Sequence, residues 1–240
     1  MLALVTGAAK GIGKEIVISI AKRNIDVIFT YNNSYDEANV LVDYINNNYD
    51  INIKCFKCDI SKEEDIINLK DNILSSNNHL DILINNAALS MDNYIEDKTK
   101  EEFMKVLEVN VVGTFLMTKY FYKYMDNGII INVSSTDSED TYSDINIDYS
   151  VSKAGINMLT KVCALDFKNI KVIGAMPNWT NTESVKEMNP DFLKKELDRI
   201  GQDKLEEPDE VAENIVNLIF DKTIKSGEIR RVWYEYRRIS

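Results

Sequence analysis

The sequence contains few of the residues that stabilise small secreted proteins. Its 240 residues include three cysteines, three prolines and one histidine. A low, odd number of cysteines excludes a disulfide framework and favours a reducing compartment, so we expect a cytoplasmic protein. The histidine, His79, follows serines and asparagines and is expected in a loop, which disfavours Ser-His-Asp catalysis. With few prolines and no Gly/Ser-rich linker, we expect a single domain over residues 1–240.

Basic residues are scarce, and long apolar runs are missing. Lysine and arginine total 28 against 39 aspartate and glutamate residues, and a net charge of −11 repels phosphate backbones, so nucleic acid is not an expected partner. No run approaches the roughly 18 apolar residues of a membrane span. The N-terminus also lacks the basic and apolar regions of a signal peptide. Neither membrane insertion nor secretion is expected.

Cys55 and Cys58 form a C-x-x-C motif that invites a metal or redox interpretation. Most of the segment 51–58, however, alternates apolar and polar residues as a half-buried strand does. Residues three apart on a strand point to opposite faces, so a shared metal or a disulfide would need a bend between them. No second cysteine pair or histidine cluster completes a zinc site, and the strand interpretation is favoured.

Short apolar runs alternate with helical patterns along the chain. The predicted strands cover 2–6, 27–31, 51–58, 80–84, 128–133, 170–175 and 229–233. The predicted helices cover 12–23, 36–47, 63–74, 99–112, 114–125, 149–168, 191–199 and 209–220. Alternation of this kind predicts an α/β fold with a doubly wound parallel sheet of about seven strands flanked by helices.

The first predicted strand runs into a glycine-rich turn and then a helix. Gly7, Gly11 and Gly13 lie in the run T-G-A-A-K-G-I-G from Thr6. Glycines at these offsets permit a tight turn and close approach of a pyrophosphate, and the helix N-terminus adds free N–H donors. The alternative is a turn that merely needs glycine. The position directly after the first strand favours a dinucleotide site.

A second set of residues has the chemistry of a proton-transfer site. Tyr149 and Lys153 are four residues apart, which places them on one face of a helix. Taken alone, such a pair is more often two surface residues of a helix. Ser135, fourteen residues before Tyr149, follows a predicted strand at the sheet edge where open α/β sheets bind ligands, and Asn110 lies in the run E-V-N-V-V-G.

These motifs together resemble the short-chain dehydrogenase/reductase family in its single-domain branch, over essentially the whole chain. The family motif T-G-x-x-x-G-x-G is matched from Thr6. Its N-N-A-G motif is matched except for Ala88, and its P-G-x-x-x-T motif except for Asn178. Because asparagine tolerates a left-handed backbone better than other side-chain-bearing residues, we expect the turn to survive at Asn178. The resemblance implies a Rossmann fold and an NAD(P)(H)-dependent oxidoreductase that interconverts an alcohol and a carbonyl. Within the family the chain looks most similar to 3-oxoacyl carrier-protein reductases.

The resemblance also implies roles for four residues. Tyr149 would be the acid in reduction and the base in oxidation, and Lys153 would lower its pKa and bind the nicotinamide ribose. Ser135 would orient the substrate oxygen, and Asn110 would hold a water that links Lys153 to a proton relay. The alternative from another class is a non-catalytic dinucleotide-binding sensor or scaffold on the same fold.

Cofactor contacts are implied along the whole chain. The implied residues are Gly7, Lys10, Gly11, Ile12, Gly13, Tyr31, Asn32, Asp59, Ile60, Asn86, Ala87, Ala88, Tyr149, Lys153, Pro177, Trp179, Thr180 and Thr182. NADP(H) is the expected cofactor, because no acid follows the second strand before Asp36 and Lys10 precedes Gly11. NAD(H) stays possible because no arginine follows that strand. For Asp59 the alternative is a role at the start of the next helix, although Ser61 suits that cap as well or better.

The substrate region is acidic. Residues 137–148 contain five acids and no base, which would repel an acidic carrier protein, so a neutral or cationic small carbonyl or alcohol is expected. Simple solvation of the loop is the alternative. Residues 183–205 are expected to form a mobile lid over the substrate. The family resemblance implies a homo-oligomer, either a tetramer or a dimer. The aromatic, basic segment from Trp233 to Ser240 is the expected place of a subunit contact.

Overall fold

The computed structural model describes residues 1–75, 77 and 79–233. Its strands are β1 (Leu2–Val5), β2 (Asp26–Tyr31), β3 (Ile53–Lys57), β4 (Ile82–Asn85), β5 (Ile129–Val133), β6 (Lys171–Met176) and β7 (Ile229–Arg231). Its helices are α1 (Gly11–Ala21), α2 (Tyr35–Asn48), α3 (Glu63–Leu74), α4 (Lys100–Leu107), α5 (Thr114–Phe121), α6 (Ile147–Asp166), α7 (Glu183–Lys186), α8 (Pro190–Ile200) and α9 (Pro208–Phe220). The predicted α/β alternation is confirmed.

The strands form one parallel sheet in the order β3-β2-β1-β4-β5-β6-β7. Helices cover both faces, as parallel sheets require, and the doubly wound, Rossmann-type sheet predicted from the sequence is confirmed. The order reverses between β1 and β4. The chain therefore leaves these two neighbouring strands in opposite directions, which opens a crevice at their carboxyl ends.

Each face of the sheet has its own apolar core, because successive strand residues point to opposite sides. Ala3 and Val5 of β1 belong to the core under α1, α2 and α9, whereas Leu4 belongs to the core under α3 and α5. The same division separates the two cysteines. Cys55 packs against the first core and Cys58 lies in the second. The described residues include no group of three or more metal-ligating side chains.

The helix predicted over 99–112 is shorter than expected. α4 ends at Leu107, and Glu108–Gly113 forms one turn of π-helix before α5. A π turn holds one residue more than an α turn, and such turns are frequent at functional sites. Asn110 lies in this turn.

No helix in the described ranges is long and apolar enough to cross a bilayer.

Two local expectations are wrong. Lys62, and not Ser61, precedes α3, and the side chain of Lys62 makes no cap hydrogen bond. Ser61 instead donates its hydroxyl to Asp59 Oδ1 at 2.7 Å. Asn178 was expected to replace glycine in a left-handed turn, but only Asn24 and Asn127 have a positive φ among the described non-glycine residues. The residues after Trp233, where a subunit contact was predicted, lie outside the described part of the chain.

Candidate functional site

A cavity of about 1260 Å³ opens at the carboxyl ends of the strands, beside the crevice between β1 and β4. Its volume exceeds the roughly 300–1,000 Å³ of most ligand sites, as an extended ligand requires. Nearly every residue predicted to contact a cofactor or to react lines this cavity. The exception is Asn110, which is buried behind the wall. His79 does not line the cavity and pairs with Asp81 at 2.9 Å before β4.

The glycine-rich turn between β1 and α1 forms one end of the cavity. Gly7 and Gly11 have φ values of +62° and +58°, which side-chain-bearing residues rarely adopt. A Cβ on Gly13 would lie 2.5 Å from Asn86 Nδ2, so this position needs glycine for packing. No side chain caps the start of α1, and no acid lies in its first turn. The turn therefore presents backbone N–H groups to the cavity and suits an anionic pyrophosphate.

Thr6 and Asn86 join the ends of β1 and β4. Thr6 Oγ1 accepts hydrogen bonds from the backbone N–H groups of Asn86 and Ala87, both at 3.0 Å. Asn86 Nδ2 donates back to the carbonyl oxygens of Thr6 and Gly7, both at 3.1 Å. These four hydrogen bonds hold the two loops that border the crevice. Ala88, where the family has glycine, lines the cavity with a negative φ.

Three of the predicted reactive residues meet at the floor of the cavity. Lys153 and Tyr149 lie one turn apart on α6, with Lys153 Nζ 5.3 Å from the centre of the Tyr149 ring. Lys153 Nζ donates to the carbonyl oxygen of Val133, the last residue of β5, at 2.8 Å. Ser135 follows that strand, and its side chain is hydrogen-bonded with Tyr149. The sheet edge and α6 thus bring a phenol, an ammonium and a hydroxyl together.

Asn110 fastens the loop after β4 to α6. Its Oδ1 accepts the backbone N–H of Leu89 at 2.7 Å, and its Nδ2 donates to the carbonyl oxygen of Leu89 and to Ser152 Oγ, both at 2.9 Å. Ser152 Oγ donates in turn to the carbonyl oxygen of Tyr149 at 2.7 Å. The side-chain amide is already engaged in this bracing. The relay water assigned to Asn110 stays a prediction.

Burial governs the charges of the reactive pair. It raises the pKa of Tyr149, and the negative charge of Asp137 raises it further, against the hydrogen bond from Ser135. Burial also lowers the pKa of Lys153 to about 8, although the charge of Asp137 opposes this shift. In each case burial favours the neutral form, which is the phenol for Tyr149 and the amine for Lys153. The protein without a ligand therefore holds Tyr149 as the phenol.

Asp137 is a cavity residue that the motif analysis did not single out. It is 7% exposed, and its carboxylate accepts from Thr141 Oγ1 at 2.7 Å and from Asn146 Nδ2 at 2.9 Å. Its backbone N–H donates to Ser135 Oγ at 3.1 Å. Burial raises the pKa of this carboxyl, while both hydrogen bonds act in the opposite direction. The number of acids in this loop was visible in the sequence, but the inward direction of Asp137 was not.

The far end of the cavity is formed after β2 and β3. Tyr31 and Asn32 line it, whereas Asp36, the first acid after β2, does not. Asp59 lines it too, with Oδ1 engaged by Ser61, and Ile60 lies beside it. Asn33 and Ser34 complete this end and were missed. The sequence could have indicated both residues, because they directly follow Asn32 in the loop after β2.

The loop after β6 forms the wall opposite the crevice, and Pro177, Trp179, Thr180 and Thr182 all line it. Asn178 Oδ1 accepts from Thr136 Oγ1 at 3.1 Å, so the side chain in the family's glycine position links the loops after β5 and β6. Trp179 Nε1 is buried and lacks a hydrogen-bond partner among the described residues.

The segment 183–205, predicted as a lid, consists mainly of the two helices α7 and α8. Its start reaches the glycine turn, since Glu183 Oε2 lies 3.9 Å from the position of a Cβ on Gly11. Its far end is anchored as well. Arg199 of α8 donates to the carbonyl oxygen of Thr141 at 3.1 Å, and Gln202 Nε2 donates to that of Trp179 at 2.8 Å.

The family model for short chain dehydrogenases matches residues 1–192 of the chain. Among curated proteins, glucose 1-dehydrogenase 2 of Bacillus subtilis is 32% identical over 218 residues, which are 88% of this chain and 84% of that protein. A 3-oxoacyl-(acyl-carrier-protein) reductase of Aquifex aeolicus is 28% identical over 222 residues, which are 90% of this chain and 89% of that reductase.

Solved structures have the same fold. A short chain dehydrogenase of Burkholderia cenocepacia in complex with NADP is 25% identical with a TM-score of 0.87, and the match covers 96% of this chain and 95% of that one. A dehydrogenase/reductase of Sinorhizobium meliloti is 26% identical with a TM-score of 0.90, over 96% and 92% of the two chains.

The environment of Lys153 leads to a titration prediction. In the protein without nucleotide, ¹³C NMR of the lysine ε-carbons is expected to show one titration with a midpoint near pH 8, absent from Lys153→Met. Asp137→Asn should lower this midpoint further, because a negative charge that favours the ammonium is lost. A midpoint at the ordinary lysine value of 10.5, unchanged in Asp137→Asn, would contradict the described burial.

Proposed function

The chain belongs to the family of short chain dehydrogenases and is an NAD(P)-dependent oxidoreductase acting on an alcohol/carbonyl pair, and we propose that it works mainly as an NADPH-dependent carbonyl reductase. The observation that carries this proposal is the meeting of Tyr149, Lys153 and Ser135 in one cavity with the glycine turn. A non-catalytic dinucleotide sensor would need the glycine turn, but it would not need a phenol, an ammonium and a hydroxyl at the other end.

The glycine turn fits a dinucleotide. A Cβ on Gly11 would project towards Thr182, so glycine leaves room where a pyrophosphate would approach the backbone. Gly7, Gly11, Ile12 and Gly13 would hold the phosphates, and Asn86, Ala87 and Ala88 would border the nicotinamide ribose. A bound nicotinamide cofactor supplies the hydride and, when oxidised, a positive charge.

Tyr149 would move the proton. Its phenol is held protonated by burial and by Asp137, which is the form that donates a proton to a carbonyl oxygen as that oxygen gains negative charge. Ser135 would donate a hydrogen bond to the same oxygen and orient it, because its Oγ already accepts from the N–H of Asp137. Lys153 would stabilise the phenolate that remains, by its charge and by its fixed position beneath the ring.

The far end of the cavity supports a preference for NADP(H). A carboxylate after β2 would bind a ribose 2′-hydroxyl and repel a 2′-phosphate, and Asp36 does not line the cavity. Lys10 is exposed and lines the same cavity as Asn32 and Asn33. These groups suit a phosphate better than a bare hydroxyl. NADH binding with lower affinity is compatible with the same geometry.

The substrate end of the cavity supports a neutral or cationic small carbonyl compound. Asp92 and Asp137 line this cavity together with Lys153, whose ammonium is held at Val133. The loop that contains Asp137 also carries Glu139 and Asp140, which would oppose an acidic carrier protein although both pair with Arg231. A panel in which an acyl carrier thioester is the best substrate would contradict this assignment.

We further propose that residues 1–240 act as one domain with 183–205 as the lid. Thr182 and the following helix lie beside Gly11, while Arg199 and Gln202 hold the other end against Thr141 and Trp179. A segment anchored at both ends of the cavity can close over nucleotide and substrate together.

A second copy of the chain is the proposed partner. Along α6, Val151, Met158, Val162 and Leu165 are 48%, 59%, 54% and 86% exposed and follow helical spacing. Val112 and Phe115 are also exposed, in the π turn and in α5. Such an uncharged helical face can pair with itself about a twofold axis, which gives a dimer, or a tetramer when a second axis is used.

Removal of the phenol hydroxyl tests the mechanism. Tyr149→Phe is expected to lower kcat by a factor of about 10²–10⁴, since the general acid is lost, with NADPH affinity unchanged. Fluorescence titration with NADPH and NADH, followed by a carbonyl panel, measures both. Tyr142→Phe is the matched control, because Tyr142 is exposed and does not line the cavity. A Tyr149→Phe protein with wild-type turnover would contradict the role of Tyr149 as the acid, whereas a wild-type protein that binds nucleotide and reduces no carbonyl would favour the sensor.

Cofactor preference is tested at Lys10. Lys10→Ala should weaken NADPH binding by about fivefold to tenfold, because a charged hydrogen bond to the 2′-phosphate is lost, and leave NADH binding unchanged. Lys22→Ala, at the other end of α1, should change neither affinity. Equal loss of both affinities in Lys10→Ala would contradict the proposed NADP preference.

Self-association is tested on α6. Light scattering should show a dimer or tetramer for the wild-type chain and a smaller species for the double variant Met158→Glu/Val162→Glu, since buried carboxylates oppose an apolar interface. Val40→Glu changes an equally exposed valine on α2 and should leave the assembly intact. A monomeric wild-type protein would exclude this interface.

A further inference from the structure

Lys98 and Asp148 form an ion pair inside the protein, beside the reactive residues. Lys98 Nζ lies 2.9 Å from Asp148 Oδ2, and the two side chains are 3% and 0% exposed. Among the described residues, the other lysine–carboxylate pairs are more exposed. A buried ion pair contributes little net stability compared with apolar residues, so its position has to be explained in another way.

Each partner is bound to a different part of the site. Asp148 lies in the first turn of α6, and its Oδ1 accepts the backbone N–H of Tyr149 at 2.9 Å. Lys98 Nζ also donates to the carbonyl oxygen of Met91. Met91 belongs to the segment 89–98, which runs from β4 towards α4 and contributes Leu89, Ser90 and Asp92 to the cavity. The ion pair therefore links a cavity wall to the residue before the phenol.

Other bonds hold the same segment at intervals. Asn110 binds the backbone of Leu89 from one side, and Asn93 N–H donates to the carbonyl oxygen of Ile145 at 2.8 Å. Lys98 supplies the charged attachment between them, at Met91. The segment has no helix or strand of its own, so these attachments determine where its side chains lie.

We propose that Lys98 and Asp148 are positioning residues, which hold the wall 89–98 at a fixed distance from Tyr149. Neither side chain lines the cavity. They act through the backbone of Met91 and Tyr149, and their catalytic effect rests on the proposed function. A displacement of about 1 Å in such a wall is enough to lower a rate by up to about a hundredfold.

A charge-removal series separates positioning from stability. Lys98→Met leaves the Asp148 carboxylate buried and unpaired, and should lower Tm by about 10 °C. The double variant Lys98→Met/Asp148→Asn has no unpaired charge, and its new side-chain amide oxygen at position 148 can still accept from Tyr149 N–H, so most of the Tm should return. Its kcat, measured well below every Tm, is nevertheless expected to stay about tenfold low with unchanged NADPH affinity. Lys98→Arg, which keeps the charge, should stay within about threefold of wild-type kcat.

A matched control and a second readout complete the test. Lys119 and Glu63 are also 2.9 Å apart but half exposed, and Lys119→Met/Glu63→Gln should change neither Tm nor kcat. Hydrogen–deuterium exchange should be faster in residues 89–98 of the buried-pair double variant and unchanged in β1.

Two results would overturn the proposal. One is a double variant with wild-type kcat and wild-type exchange, and the other is a Lys98→Arg protein as slow as the double variant. If the wild-type chain reduced no carbonyl, the proposed function would fail, and exchange in 89–98 would still decide whether the pair holds the wall.

Discussion

The whole site depends on one property of the parallel sheet, which is that all its strands end at the same edge. Between β1 and β4 the chain turns to opposite faces, and the hydrogen bonds between Thr6 and Asn86 keep the two exits at a fixed separation. The glycine turn, the segment after β4 and the loops after β5 and β6 then have to meet above that point. The cavity follows from the strand order, and the loops determine what it accepts.

Burial is the largest cause of the pKa shifts of Tyr149 and Lys153. Tyr149 and Lys153 lie in surroundings that disfavour both of their charged forms, and Asp137 adds a negative charge that opposes the phenolate and favours the ammonium. The protein alone thus stores the proton on the tyrosine. An incoming positive charge would change the balance in a medium with little water to screen it. Under the proposed function, release of the tyrosine proton would be coupled to occupancy of the cavity by the oxidised cofactor.

Much of the fold could be predicted from the sequence because local rules decide it, whereas most of the cavity residues were implied by the family resemblance. Period-two and period-3.6 patterns identified the strands and helices. The glycines after β1 were expected to permit a tight turn that other residues do not allow. Gly7 and Gly11 do adopt positive φ. The spacing of Tyr149 and Lys153 fixed their common helix face without any knowledge of the tertiary structure.

The remaining features depend on contacts between distant segments, which no local pattern encodes. Lys98 and Asp148 are fifty residues apart and look like ordinary surface charges in the sequence, yet both are buried. Asp137 was one acid among five, and only the packing of Thr141 and Asn146 turns it inward. The π turn at Asn110 likewise interrupts a helix whose apolar pattern continues on both sides.

That π turn restricts how the length of the chain can vary. A π turn holds one residue more than an α turn, so deletion of a single residue from Glu108–Gly113 would convert the stretch into a continuous α-helix. Residues on the two sides of the deletion would keep their faces, because a π turn and an α turn each complete one rotation, but the residues inside the turn would be redistributed over it. Asn110 could then no longer face both Leu89 and Ser152. A deletion within these six residues would therefore detach the loop after β4 from α6 without disturbing the packing of α4 and α5.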